Sequence, residues 1–124
     1  MATKMKPEQK RFDHPDEVRA FTHGRSDVAT VGGVTLGRLT LEPGWHWKDD
    51  VAPIAGTPTC EVEHVQFVVS GRLRVALDSG EIVEAGAGDI AYIPPGHDAW
   101  VLGSEPFVGI ELLGAEKYAK GRVR

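Results

Sequence analysis

From Cys60 to Leu77 the chain alternates with a two-residue period, and this restricts the fold more than any other feature. Cys60, Val62, His64, Gln66 and Val68 fall on one side of an extended backbone; Glu61, Glu63, Val65, Phe67 and Val69 fall on the other. Ser70-Gly71 interrupts the run, and the alternation resumes over Arg72–Leu77 until the tight turn Asp78-Ser79-Gly80. Further short runs with strand character follow at 81–85, 90–93, 99–102 and 107–113, each bounded by Gly, Pro or Asp. Strands this short at this spacing predict an all-β sandwich or barrel. A chain of 124 residues is enough for one such domain around a single core.

Upstream, the pattern changes. Asp13-His14-Pro15-Asp16-Glu17 predicts a helix start: a capping residue, a proline suited to the first turn, and acids near the positive end of the dipole. Val18 and Phe21, with Phe12, give the helix something to bury, and His23-Gly24 ends it. His14 and His23 are read as surface or capping residues. Gly32-Gly33 predicts a hairpin between the β-rich runs 28–31 and 34–41. After Pro43-Gly44, Trp45-His46-Trp47 places both indoles on one side of an extended segment and His46 on the other. The stretch from Lys48 to Thr59, with Pro53, Gly56 and Pro58, predicts an irregular loop long enough to be functional, and a candidate lid. The expected organisation is an N-terminal extension with a short helix (1–27), a barrel (28–114) and a C-terminal tail with a terminal helical turn (115–124).

Composition narrows the function classes. A formal net charge of −4 gives no general reason to expect a nucleic acid or a membrane as partner. Basic residues gather at both ends (Lys4, Lys6, Lys10 and Arg11; Lys117, Lys120, Arg122 and Arg124) and are read as solvated termini. The one cysteine, Cys60, excludes an internal disulfide and fits a reducing compartment. No apolar run is long enough for a membrane span and no secretory leader opens the sequence, so the expectation is cytoplasmic. Gly86 and Gly88 lack the following helix that a dinucleotide site requires.

Gly86, Asp89 and Ile93-Pro94-Pro95-Gly96 followed by a histidine, together with a polar strand residue and a hydrophobic run into Gly71, resemble the two sequence motifs of the cupin superfamily. The resemblance is to the small single-domain cupins and covers about Val34 to Leu113. It implies a jelly-roll β-barrel, in agreement with the strand pattern. It also implies a homodimer formed through an outer sheet, for which the alternating face Val65, Phe67 and Val69 is suited.

The metal ligands implied by that resemblance do not carry over intact. Counted from Gly44, the family's His-x-His falls on Asp50 and Ala52; counted back from Gly71, its Glu falls on His64. The residues Val51 to Thr59 enlarge the gap between them. The histidine of the second motif falls on Ala99, whereas His97 follows Gly96 directly. Two alternatives follow: a metal site of His64 and His97, completed by Asp50, His46 or Gln66 and suited to iron, manganese, nickel or zinc, or no metal, with the inward histidine hydrogen-bonded to Gln66 or a water. Cys60 is read as a small buried hydrophobe rather than a ligand or nucleophile.

The expected ligand pocket joins His64, Gln66 and His97 to the indoles of Trp45, Trp47 and Trp100, which otherwise fill the core or an interface. Tyr92 and Phe107 are read as core. Asp98 either orients an imidazole or caps a turn. Two functional readings follow. One is a small-molecule-binding protein, a sensor or carrier without robust catalysis. The other is a metal-dependent oxygenase, isomerase or lyase acting on a small organic substrate. A third reading, purely structural, is a dimerisation module.

Overall fold

The computed structural model describes residues 6–120. Nine strands and two short helices follow one another: β1 (Glu17–Phe21), β2 (Gly24–Val31), β3 (Val34–Leu41), α1 (Trp47–Asp50), α2 (Ala52–Ala55), β4 (His64–Ser70), β5 (Arg72–Leu77), β6 (Ile82–Gly86), β7 (Ile90–Ile93), β8 (His97–Leu102) and β9 (Phe107–Leu113). They form a six-stranded sheet ordered β1-β2-β3-β9-β4-β7 and a three-stranded sheet ordered β6-β5-β8. The strand pairs are antiparallel, and the architecture is the expected all-β jelly-roll barrel.

The two-residue period decides which side chains meet inside. Leu39, Leu41, Val68 and Phe107 from the large sheet pack with Leu73, Val75, Ala99 and Val101 from the small one. Phe67 and Val69, at the opposite parity of β4, stay exposed. The chain crosses between sheets at Gly71, whose φ is +77°. A Cβ there would lie 2.4 Å from the carbonyl oxygen of Pro106, so the corner requires a glycine for both conformation and space.

The helix expected between Asp13 and His23 is instead the β1–β2 hairpin, with Glu17 opposite Val28 and Phe21 opposite Gly24. A helix stop and a tight hairpin turn both need a residue at positive φ, and His23 has φ +64°. Tertiary pairing settled an ambiguity that local propensity left open. Asp13 caps no helix, and its carboxylate accepts from Arg38 at 3.1 Å and from Arg11 at 3.3 Å; that of Asp16 accepts from the Thr30 backbone N–H at 2.9 Å and from Lys10 at 2.8 Å. The short helices lie instead at Trp47–Asp50 and Ala52–Ala55, all but Trp47 within the 48–59 stretch expected to be irregular, with Gly56 closing α2 at φ +75°. The large sheet takes in residues on both sides of position 28.

Three local expectations also change. The strand predicted from Cys60 begins at His64, and Cys60 joins the sheet only through an isolated bridge to His97. Tyr92 is exposed, because β7 turns Ala91 and Ile93 inward; its hydroxyl donates to Glu63 at 2.6 Å. Beyond β9 the chain makes one turn, with the N–H groups of Lys117 and Tyr118 donating to the Gly114 carbonyl. The rest of the expected terminal helical turn falls on residues 121–124, outside those described, as do Lys4, Arg122 and Arg124. No helix among the described residues is long and apolar enough to cross a membrane.

Candidate metal centre and its pocket

Strand parity turns His64 and Gln66 of β4 into the barrel, and β8 does the same for His97, its first residue. Cys60 arrives by a different route. Its backbone N–H donates to the His97 carbonyl at 2.8 Å, and its carbonyl accepts from Gly96 at 2.7 Å. The thiol is thereby fixed beside both imidazoles. One ligand atom from each of Cys60, His64 and His97 lies within 4.8 Å of the others, and the Cys60 Sγ is 3.6 Å from the His64 Nε2. All three residues are buried.

The orientation of the rings follows from their second nitrogens. The His64 Nδ1 lies 2.5 Å from the Glu111 Oε1, and the His97 Nδ1 lies 2.8 Å from the Pro94 carbonyl oxygen. A carboxylate and a carbonyl only accept, so in each ring Nδ1 carries the proton. Each Nε2 is left to face the cluster. Glu111, at 1 % exposure, also accepts from the Gln66 Nε2. A buried carboxylate holding a histidine through Nδ1 is the support that metal-ligating histidines usually have.

The same contacts set the charges. Burial alone would push the Cys60 thiol up, but hydrogen bonds and charge from His64 and His97 outweigh it and bring the pKa down to about 7. Burial would push the His64 imidazolium down, but the charge of Glu111 and the contacts with Cys60 raise it to about 10. The cluster thus favours a thiolate beside a proton held on His64. A divalent cation placed there would take that proton's position. One thiolate and two imidazole nitrogens are a donor set of the zinc type, and three protein ligands leave a position open.

Around this cluster lies an interior cavity of about 20 Å³, lined in part by Trp45, Trp47, His64, Gln66, His97 and Tyr118, with room for roughly one water or ion. Four buried polar atoms of its lining residues have no hydrogen-bond partner among the described residues: Trp45 Nε1, Trp47 Nε1, Gln66 Oε1 and the Tyr118 hydroxyl. Burial, then the charges of Cys60, Glu111 and Asp50, push the Tyr118 phenol well above its ordinary value, so it remains a donor.

Five of the six residues expected to form the ligand pocket therefore line one cavity. Trp100 does not. It lies on the outer parity of β8 and stacks on His46, with centroids 4.9 Å apart and planes 9° apart. His46 and Asp50 also lie outside the cluster of His64 and His97. With Trp45 and Trp47 facing inward, His46 must face outward, where its Nε2 meets Asp98 at 2.7 Å and its Nδ1 meets Asp49 at 3.0 Å. Asp50 turns back to accept from the His46 backbone N–H at 3.0 Å, and its carboxylate also meets the His23 Nδ1 at 3.1 Å. Asp98 does orient an imidazole, but that of His46.

This outer cluster gives a prediction about pH. Burial alone would lower the His46 pKa, but the hydrogen bonds and charges of Asp98 and Asp49 raise it above its ordinary 6.5. The folded state then binds this proton more tightly than the unfolded chain does. The stabilisation is complete below about pH 6.5 and is lost as pH rises through the raised folded value. Wild type is expected to exceed His46→Gln by up to about 1 kcal/mol near pH 6, and by less near about pH 9. Thermal unfolding across that range checks it; a gap that widens with rising pH would contradict the assignment.

Comparison with known proteins agrees with this architecture. A family model described as the EutQ-like cupin domain matches residues 52–108. A solved protein of unknown function from Rhizobium leguminosarum bv. viciae 3841 is 26% identical, with a TM-score of 0.62 over 88% of this chain and 97% of that one. A Cupin 2 conserved barrel domain protein from Salinispora arenicola CNS-205 is 17% identical, with a TM-score of 0.58 over 86% and 87%. An oxalate decarboxylase from Bacillus subtilis is 23% identical, with a TM-score of 0.51 over 83% of this chain but 29% of the enzyme. The last two likenesses are of fold alone. No match was found among curated proteins.

Proposed function

We propose that the chain is a small cupin, as the match of residues 52–108 to the EutQ-like cupin domain supports, and that its barrel is a metal-centred pocket for a small molecule. In this reading the Cys60 thiolate and the Nε2 atoms of His64 and His97 hold one divalent ion, zinc or iron(II) rather than manganese, because a thiolate is a soft ligand. The observation that carries it is the pair of imidazoles whose Nδ1 atoms are already engaged, each leaving Nε2 for the cluster that holds Cys60. Bound there, the ion supplies Lewis acidity toward a water or an oxygen ligand. Glu111 holds His64 in one tautomer, and the Pro94 carbonyl does the same for His97. The indole N–H groups of Trp45 and Trp47 and the Tyr118 hydroxyl supply donors, and Gln66 Oε1 supplies an acceptor. Three donors to one acceptor suit an acceptor-rich or anionic ligand.

The test is elemental analysis of the untagged protein. The expected result is close to one transition metal per chain, lost in Cys60→Ala and in His97→Ala. Wild-type protein that contains none and gains no thermal stability from added zinc, iron(II), nickel or manganese would sink the reading.

The proposed partner is a second copy of the chain, seated on the outer face of β4 and β7. Phe67 lies directly opposite Ile90, and Val65 opposite Tyr92, on an edge of the large sheet. Ile90 is 74% exposed and Phe67 40%, an apolar patch on an open edge that pairing would cover. Sedimentation at micromolar concentration is expected to give a dimer for wild type and a monomer for Phe67→Glu/Ile90→Glu. A monomeric wild type would reject this assignment of the face.

A further inference from the structure

We infer that Tyr118 is the gate of this pocket, a ring that decides by size which ligands reach Cys60, His64 and His97. The inference rests on the metal reading above and adds how an organic ligand enters. The interior cavity of about 20 Å³ has no room for an organic body. Beyond it lies a second cavity of about 140 Å³, walled by the 51–62 segment and the C-terminal turn. Trp47 and Tyr118 line both cavities; Cys60 lines the outer one, while His64 and His97 line the inner. The three ligating side chains therefore straddle a partition of which Tyr118 is part.

Tyr118 is seated as a stopper rather than as an ordinary core residue. Its ring stands edge-on to His64 at 5.5 Å between centroids and edge-on to Phe21 at 6.0 Å. A buried tyrosine usually bonds its hydroxyl; this one has no partner among the described residues. Phenylalanine would pack as well, so the hydroxyl points to a ligand in the inner cavity.

The turn that carries Tyr118 is latched from outside. Arg19 Nη1 donates to the carbonyl of Ala115 at 2.7 Å and to that of Tyr118 at 2.8 Å. The guanidinium is itself held by Glu17. The turn pivots on Gly114, at φ +106°, where a Cβ would lie 2.3 Å from the Glu63 carbonyl oxygen. Just past the ring, Ala119 sits at φ +55°, a conformation costly for any residue with a Cβ. A pinned pivot, a strained residue and a latch on two carbonyls make a segment that can swing as a unit when Arg19 lets go. Swinging joins the two cavities. The outer cavity, with Val51, Ala55 and Val62 on its walls and Lys117 at its rim, suits a small organic anion with an apolar body.

The test uses the cobalt(II)-loaded protein, read by its visible spectrum, with azide as a slim probe and imidazole as a ring-sized one. If the open state is a minor one, apparent imidazole affinity is reduced by its population, about 1–10%. Arg19→Met and Tyr118→Ala are expected to bind imidazole about 10- to 100-fold more tightly than wild type, and azide is expected to bind Arg19→Met nearly as it binds wild type. Tyr118→Phe, which keeps the ring, is expected to admit imidazole as wild type does. Equal imidazole affinity across wild type and the variants overturns the gate while leaving the metal site standing. A gain in Tyr118→Phe equal to that in Tyr118→Ala overturns the size filter. A wild type that binds no cobalt overturns the metal reading, and the gate with it.

Discussion

The Glu111→Ala variant of the metal-free protein is expected to lose about 3–5 kcal/mol of folding stability, the cost of removing one member of a buried charged pair. Glu111 is 1% exposed and accepts from both His64 and Gln66. Truncation leaves the His64 Nδ1–H and the Gln66 amide without the acceptor that both share in this interior, and leaves a cavity as well. Glu111→Gln is expected to lose less, because its carbonyl still accepts from His64 while its amide faces that of Gln66. Urea unfolding measures both. A loss below about 1 kcal/mol for Glu111→Ala would mean that the pair is not held in a dry interior.

Zinc is expected to stabilise the wild type by about 2.7 kcal/mol when its free concentration is a hundredfold above the dissociation constant. Only binding to the folded state produces this effect, since the three candidate ligands are assembled by β4, β8 and the Cys60–His97 bridge. The increment is expected to vanish in Cys60→Ala and in His97→Ala. Both variants should fold without metal, because in each the Glu111 carboxylate still pairs with the His64 imidazole. The midpoint of thermal unfolding as a function of added zinc checks this. An increment retained in Cys60→Ala would place the ion elsewhere.

How far the sequence reveals the molecule depends on whether a feature is local. The parity of 60–70 is local, and it correctly turned His64, Gln66 and Val68 inward and Phe67 outward. The hairpin at Gly32-Gly33 and the two-sided placement of Trp45-His46-Trp47 are local in the same sense. The hairpin at His23 was hidden, because its positive φ and its acidic, proline-containing approach satisfy a helix as well as a strand. Only pairing with β2 distinguishes them.

The site was half legible for the same reason. His64 and His97 lie in recognisable motifs. Cys60 joins them through two backbone hydrogen bonds to the 96–97 corner that no spacing announces. Glu111 did leave a signal: it shares parity with Phe107 and Gly109, so an acid was pointing inward from an otherwise apolar strand. Such a group needs a partner, and His64 and Gln66 were the polar residues at inward parity on β4. Tyr118 left none. Its place depends on Arg19, ninety-nine residues away, holding the C-terminal turn against the barrel. Asp50 lies elsewhere because motif counting assumes strand geometry, and the chain there enters the short helix α1; His46 sits at the parity opposite Trp45 and Trp47 and meets Asp49 and Asp98 instead.

The most direct test of the proposed metal centre is X-ray absorption at the zinc edge of the zinc-loaded protein. One sulfur scatterer at about 2.3 Å with imidazole nitrogens at about 2.0–2.1 Å is the expected shell, and the sulfur should disappear in Cys60→Ala. A wild-type shell of nitrogen and oxygen alone would contradict a centre built on Cys60, His64 and His97.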